Sequence, residues 1–136
     1  MYRYQIIIEY DGTSYVGWQS QINGNAIQKE IEKILSKILK EKVKIYGSGR
    51  TDAGVHAIGQ SANFFCDKIE NLKKFLNSLN YFLSKKSISI ISIKKKGLSF
   101  HSRFDAKKRI YKYIIVNRRN FLVLDKNRAW LVKKKL

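Results

Sequence analysis

Two segments with helical apolar spacing alternate with four strand-like segments, and this order constrains the fold more than any other feature. Residues 2–10 alternate between a strongly apolar and a more polar set, which is typical of a strand with one buried face. Residues 27–38 and 69–83 carry apolar side chains every three or four positions, which predicts two amphipathic helices. Shorter strand-like runs at 42–46, 61–66 and 87–93 complete the order β-α-β-β-α-β.

This order predicts an α+β fold of the ferredoxin-like (RRM-like) class, an antiparallel sheet with two helices on one face. The other face of such a sheet is a common RNA-binding platform. Asn25 with Gln28, and Asp67 with Glu70, each match a capping box and predict where the two helices begin.

The region after residue 103 has a different character. Residues 109–116 are interpreted as a further strand, and Trp130 lies in another apolar patch. Residues 104–136 contain too little to close a second core. We therefore expect two parts: an N-terminal ferredoxin-like domain, residues 1–103, and the first strands of an incomplete second domain, residues 104–136.

The chain is strongly basic, with 28 Lys and Arg, 10 Asp and Glu, and a formal net charge of +18. Residues 94–136 alone carry a net charge of +13, against +5 for residues 1–93. Such asymmetry favours a polyanionic partner, most simply nucleic acid. Part of the charge has a second explanation, because 21 Lys against 7 Arg is typical of A+T-rich coding sequence.

Cysteine and histidine are scarce. Cys66 is the single cysteine and lies in an apolar run, so we expect a small core residue rather than a nucleophile. His56 and His101 are too isolated from other ligand types to suggest a metal site. No apolar run approaches the ~20 residues that span a bilayer, and the N-terminus lacks a secretory pattern. We expect a cytoplasmic protein.

Residues 47–56, Gly-Ser-Gly-Arg-Thr-Asp-Ala-Gly-Val-His, place one carboxylate, that of Asp52, among small residues. Two interpretations are open for this segment. It is a structural turn in which Asp52 caps backbone N–H groups, or a functional loop that nucleic acid approaches closely. In the second case Arg50 pairs with a phosphate or keeps the Asp52 carboxylate ionised.

Several motifs together resemble the tRNA pseudouridine synthase A family. In chain order they are residues 10–13 (Tyr-Asp-Gly-Thr), 17–19 (Gly-Trp-Gln) with Gln21, 49–57 (Gly-Arg-Thr-Asp-Ala-Gly-Val-His-Ala), 79–80 (Leu-Asn), 100–104 (Phe-His-Ser-Arg-Phe) and 109–111 (Arg-Ile-Tyr). The resemblance covers nearly the whole chain, and the segment around Asp52 is its most specific part.

The resemblance implies an isomerase that converts uridine to pseudouridine at positions 38–40, in the anticodon stem-loop of tRNA. It implies that Asp52 is the catalytic residue, that Tyr111 stacks on the target base, and that Arg50 helps to open the RNA stem and pairs with Asp52. It also implies a homodimer and no cofactor or metal. For Trp18 two roles stay open, a contact to tRNA or a packing anchor, whereas Asp11 is expected to form a turn.

The chemistry agrees with these assignments. The reaction breaks the C1′–N1 bond, turns the uracil and joins C1′ to C5, without net redox change. A carboxylate can serve as nucleophile or as base, and the sequence does not choose between them. Family members usually run to about twice this length, so we expect most of a second, similar domain to be missing. The alternative function is therefore a non-catalytic, basic RNA-binding module.

Overall fold

The computed structural model describes all 136 residues. Four strands form an antiparallel sheet with the order β2-β3-β1-β4. Their bounds are Tyr2–Tyr10 for β1, Ile45–Gly47 for β2, Ala57–Cys66 for β3 and Ile88–Lys96 for β4. Helix α1 spans Ile27–Leu39 and helix α2 spans Leu72–Leu83. This arrangement confirms the predicted ferredoxin-like α+β fold, with both helices on one face of the sheet.

The core lies between the helices and one face of the sheet. β1 supplies Tyr4, Ile6, Ile8 and Tyr10 to this face, all of them buried. α1 and α2 bury one stripe each, which includes Ile31 and Leu35 in α1 and Leu79 and Leu83 in α2. Because alternate residues of a strand point to opposite faces, Arg3, Gln5, Ile7 and Glu9 lie on the other face, which we call the open face.

Both predicted capping boxes are wrong. α1 has Ala26 as its N-cap, without a side-chain hydrogen bond, and the side chain of Gln28 instead accepts from Ser20 N and donates to Ile45 O. α2 is capped by Asn71, whose side chain accepts a hydrogen bond from Lys74 N. Residue 69 therefore precedes α2 and does not belong to it.

The region after β4 contains little regular structure. β5, Ile115–Asn117, and β6, Trp130–Val132, pair in parallel as a separate two-stranded sheet. The strand predicted over 109–116 is therefore wrong except at its end, and Tyr111 lies outside any strand. Neither helix of the chain combines the length and apolar character that crossing a membrane would need.

Candidate active site

The segment 47–56, which we call the Asp52 loop, leaves the sheet where β2 ends and returns to it where β3 begins. Ser48 N donates to Ser61 O at 2.8 Å and extends the β2–β3 ladder by one residue. The loop then reaches Asp52 and turns back at Gly54, which has a φ of +80°. It therefore projects from the end of the sheet at which β1 also ends.

A second loop, residues 11–26, holds the Asp52 loop in place through backbone contacts. Gly17 and Asp52 form an isolated antiparallel bridge, and Trp18 N donates to Thr51 O at 3.1 Å. Gly54 N donates to Tyr15 O at 3.3 Å. The position of Asp52 is thus fixed by main-chain atoms of a loop that precedes it by 35 residues, as the numbering shows.

Two glycines make this close approach possible. A Cβ at Gly12 would collide with the carbonyl oxygen of Val55, and a Cβ at Gly17 would collide with that of Thr51. Gly17 also has a φ of +115°, which disfavours any other residue. The two loops therefore pack backbone against backbone.

Aromatic side chains of β1 and of the 11–26 loop pack beneath the Asp52 loop, on the side of the core. Trp18 is 3% exposed and stacks on Tyr10, with ring centroids 6.2 Å apart. The Tyr10 and Thr51 hydroxyls are 2.7 Å apart, and burial raises the pKa of Tyr10 although this hydrogen bond lowers it in part. Of the two roles left open for Trp18, the structure supports the packing anchor.

Asp52 itself is exposed, as is Arg50. No ion pair joins their side chains. The pairing of Arg50 with Asp52 that the resemblance implies is therefore not present in this structure. Because both groups face water, where an ion pair contributes little, nothing in this arrangement holds them together.

Tyr111 and Arg109 approach the start of the Asp52 loop from the region after β4. The position of a Cβ on Gly49 would be 3.6 Å from the Tyr111 hydroxyl and 3.6 Å from the Arg109 side chain. Arg109 Nε donates to Ser48 O at 2.7 Å, and its Nη2 donates to Arg103 O at 3.0 Å. The structure thus brings Tyr111, which is 60% exposed, beside the loop that carries Asp52 and Arg50.

Arg109 and His56 are two positions whose structural roles the sequence did not reveal. His56 Nδ1 accepts from Gly12 N at 2.9 Å, and its Nε2 lies 2.5 Å from Asn127 O. His56 therefore joins both site loops to the turn before β6. Two features of the sequence could have pointed to these residues: His56 ends the motif of residues 49–57 but for one residue, and Arg109 begins the Arg-x-Tyr motif.

Asp11 forms a turn, as expected. Its carboxylate accepts from Thr13 N at 3.0 Å and from the Thr13 hydroxyl at 2.5 Å, and these bonds lower the pKa of Asp11. His56 Nδ1 lies 3.2 Å from the same carboxylate. Asp11 thus stabilises the short 3-10 turn Gly12–Ser14, which places Gly12 against the Asp52 loop.

Residues 100–105 cover part of the open face of the sheet. Ser102 N donates to Asn63 Oδ1 at 2.8 Å, and the Ser61 and Ser102 hydroxyls are 3.1 Å apart. A pocket of about 220 Å³ remains beside this crossing, lined in part by Gln5, Ser48 and Lys108. The open face is therefore not a free platform along its whole width.

No three His, Cys, Asp or Glu side chains of the chain come together in a way that could hold a metal ion. The exposed charged and polar groups of the site are the carboxylates of Asp52 and Asp11, the guanidinium groups of Arg50 and Arg109, and the Tyr111 phenol. These suit acid–base or nucleophilic chemistry on a polar, anionic substrate that approaches from solvent.

Comparison with known proteins identifies the family. The profile of the family described as tRNA pseudouridine synthase matches residues 6–105. A tRNA pseudouridine synthase A of Pelagibacter ubique is 60% identical over the whole of this chain and 56% of its own length. Proteins of the same name from Ehrlichia ruminantium (strain Gardel) and Anaplasma marginale (strain Florida) are 48% and 42% identical over 96% and 98% of this chain.

The chain spans about half the length of the curated relatives that it matches, 53% of the Ehrlichia protein and 55% of the Anaplasma protein. Both the Asp52 loop and residues 100–105 lie within the range that the family profile matches.

Proposed function

The chain belongs to the tRNA pseudouridine synthase family, and we propose that it converts uridine to pseudouridine at positions 38–40 of the tRNA anticodon stem-loop. The observation that carries this proposal is the exposed Asp52 carboxylate, held by backbone contacts in a loop that the exposed Tyr111 approaches at Gly49. The reaction breaks C1′–N1 and joins C1′ to C5, so it is balanced without a redox partner or a group donor, and we propose no cofactor.

In this proposal Asp52 is the catalytic residue. A carboxylate near the anomeric carbon can attack as a nucleophile or remove a proton, and both roles need it exposed and ionised when the RNA arrives. The rigid loop contact through Gly17 and Thr51 supports this role, because catalytic groups act best when their backbone is fixed before the substrate binds.

Tyr111 and Arg50 are proposed to bind the substrate. The target base must leave its stack, at a cost of a few kcal/mol, and stacking on an aromatic ring returns about 1–3 kcal/mol per base. Tyr111 offers such a ring beside Gly49. Arg50, free of any partner in the chain, is available to an RNA phosphate or to the space that the extruded base leaves, and to Asp52 once the site closes.

The second candidate is a non-catalytic RNA-binding module. The observation that favours it is the open site: Asp52 and Arg50 face solvent, and the relatives that this chain matches are nearly twice as long. A site that stays open to water gives weak electrostatic stabilisation of a charged transition state.

We also propose that residues 1–103 form the domain that carries the Asp52 loop and that residues 104–136 begin a second domain. Large exposed apolar side chains between residues 110 and 136 support this division. A homodimer of the complete enzyme, acting in the cytoplasm on tRNA, is part of the same proposal.

The test is release of tritium from tRNA transcripts that contain C5-tritiated uridine, because pseudouridine formation expels that hydrogen. Asp52→Asn is the test variant. Asp67→Asn is the matched control, because it removes another exposed carboxylate in the same way. We expect release by the unchanged chain and by Asp67→Asn, and none by Asp52→Asn.

Two other outcomes are informative. If no protein releases tritium but all bind the transcript, the RNA-binding module is the better description of this chain. If Asp52→Asn releases tritium as fast as the unchanged chain, Asp52 is not the catalytic residue.

A further inference from the structure

Arg3 is a nearly buried cation without a counter-charge. It is 8% exposed, its Nε is buried without a hydrogen-bond partner, and no acidic side chain forms an ion pair with it. Its guanidinium stacks on the Phe65 ring, 3.7 Å from the ring centroid. Buried charges in proteins are normally paired, because removal from water is costly and a ring face compensates only part of that cost.

The surroundings of Arg3 add positive charge. Lys96 is directly opposite Arg3 on β4, and Lys94 is opposite Gln5, so all three cations lie on the open face. Lys96 also lies over the Phe100 ring, at 5.1 Å. Asp67 follows β3 at this end of the sheet and forms no ion pair. The chain thus builds a group of cations and rings and supplies no anion to it.

This group is remote from the Asp52 loop. Arg3 and Tyr10 are seven residues apart on β1, which corresponds to roughly 23 Å at about 3.3 Å per residue. Tyr10 is the residue whose hydroxyl contacts Thr51. An RNA that places its target uridine at Asp52 would therefore reach Arg3 with a different segment.

We propose that Arg3, with Lys94 and Lys96, binds a backbone phosphate of the tRNA outside the segment that carries the target uridine. This inference rests on the proposed function, since it takes tRNA as the partner. A guanidinium held flat on a ring presents its donors in a fixed plane, which suits phosphate oxygens. The missing counter-charge is then supplied by the RNA.

The experiment measures binding of an unmodified tRNA transcript by fluorescence anisotropy at several salt concentrations. The variants are Arg3→Met, which keeps an apolar chain against Phe65, and Lys96→Gln. The control is Lys73→Gln, an exposed lysine of α2 on the helix side of the sheet. We expect each of the two variants to reduce the slope of log K against log salt by about 1 and to weaken binding several-fold, and the control to change neither.

Thermal melting of the free protein provides the second readout. A buried cation without a counter-charge lowers the stability of the free protein. The Arg3→Met protein should therefore have the same melting temperature as the unchanged chain or a higher one. A loss of melting temperature together with an unchanged salt slope would show that Arg3 is structural and would overturn the inference. Lys96→Gln keeps the test valid if Arg3→Met fails to fold.

The remaining outcomes separate this inference from the proposed function. An unchanged chain that melts cooperatively but binds no tRNA overturns the proposed function and this inference with it. Normal tRNA binding with unchanged slopes in both variants overturns this inference alone. Stabilisation by inorganic phosphate that Arg3→Met abolishes, without any effect on tRNA affinity, shows a site for free anions and also overturns it.

Discussion

Residues 1–96 and residues 104–136 contain similar apolar side chains, but the first region buries them and the second leaves most of the large ones exposed. In the first region strands and helices form two layers, and Tyr4, Ile6 and Leu79 are at most 1% exposed. In the second region Tyr113 and Leu124 are 88% and 92% exposed, and the two strands form only a separate pair. A core thus requires an element on each side of the apolar surface, and alternation within one segment is insufficient.

The charge distribution follows the same division. Residues 104–136, which bury few side chains, lie within the segment 94–136, whose net charge is +13. Two side-chain hydrogen bonds join it to the first region, one from Arg109 Nε to Ser48 O and one between His56 Nε2 and Asn127 O. The second region is therefore attached to the site by a few hydrogen bonds, and its removal should leave the first core intact.

The largest effect should come from a cavity in the first core. Leu79→Ala removes a fully buried side chain of α2, and we expect it to lower the free energy of unfolding by about 2–5 kcal/mol, measured with urea. Leu124→Ala is the matched control and should change it by less than about 0.5 kcal/mol. Equal effects of the two variants would mean that both regions share one core.

A smaller loss of stability should follow from removing the Asn80 side chain, which joins α2 to β4 by two hydrogen bonds. Asn80 Nδ2 donates to Ile90 O at 2.9 Å, and Asn80 Oδ1 accepts from Ile90 N at 2.7 Å. Asn80→Ala leaves both backbone groups without these partners, so we expect a loss of about 1–3 kcal/mol in urea unfolding. Asn77→Ala, at an exposed position of the same helix, should have little effect. A neutral Asn80→Ala variant would show that water replaces the amide.

The buried thiol of Cys66 gives a pH-dependent test. Burial, with smaller contributions from Glu41 and Asp67, raises the pKa of Cys66 from 9.0 to about 12. The unfolded chain ionises first, so the stabilising contribution is complete below pH 9 and is lost as the pH rises from about 9 to about 12. At pH 10 the unchanged chain should have lost about 1 kcal/mol more of its free energy of unfolding than Cys66→Ala, relative to pH 8. Parallel pH profiles would contradict the raised pKa.

The smallest global effect should come from the link between the regions. Arg109→Met removes the exposed hydrogen bonds to Ser48 O and Arg103 O, and we expect the free energy of unfolding to change by less than about 0.5 kcal/mol. Cleavage by trypsin after Lys126 and Arg128, both exposed, should become faster. A decrease of more than about 1 kcal/mol in the free energy of unfolding would show that residues 104–136 unfold together with the core of residues 1–96, and it would contradict the division into two regions.

Local periodicity was sufficient to predict the first region. The bounds of β1 and the order of six elements followed from apolar spacing, because each element has a layer to pack against. The first residues of the helices could not be predicted in the same way. In α1, for example, the Gln28 side chain bonds to Ser20 N and Ile45 O and not to the start of its own helix. Asn71 capped α2 in place of Asp67, and several nearby residues offer a suitable side chain. The strand predicted over 109–116 is absent from residues 109–113, because no neighbouring strand pairs with them.

The site could be predicted in part. Asp52, Arg50 and Tyr111 were proposed from motifs, and the structure places Tyr111 beside Gly49 of the Asp52 loop. The backbone bridge between Gly17 and Asp52 and the contacts of His56 could not be predicted, because they join segments 35 or more residues apart.

The central position of β1 has a consequence for the order of events during synthesis. β1 is made first, yet its two neighbours in the sheet, β3 and β4, are the third and fourth strands to be made. Completion of its pairing therefore waits for residue 96. At about 5–20 residues per second the 86 residues between Tyr10 and Lys96 take roughly 4–17 s to synthesise. During that interval an apolar strand is without its final partners on the ribosome, and nascent-chain chaperones have a defined segment to shield.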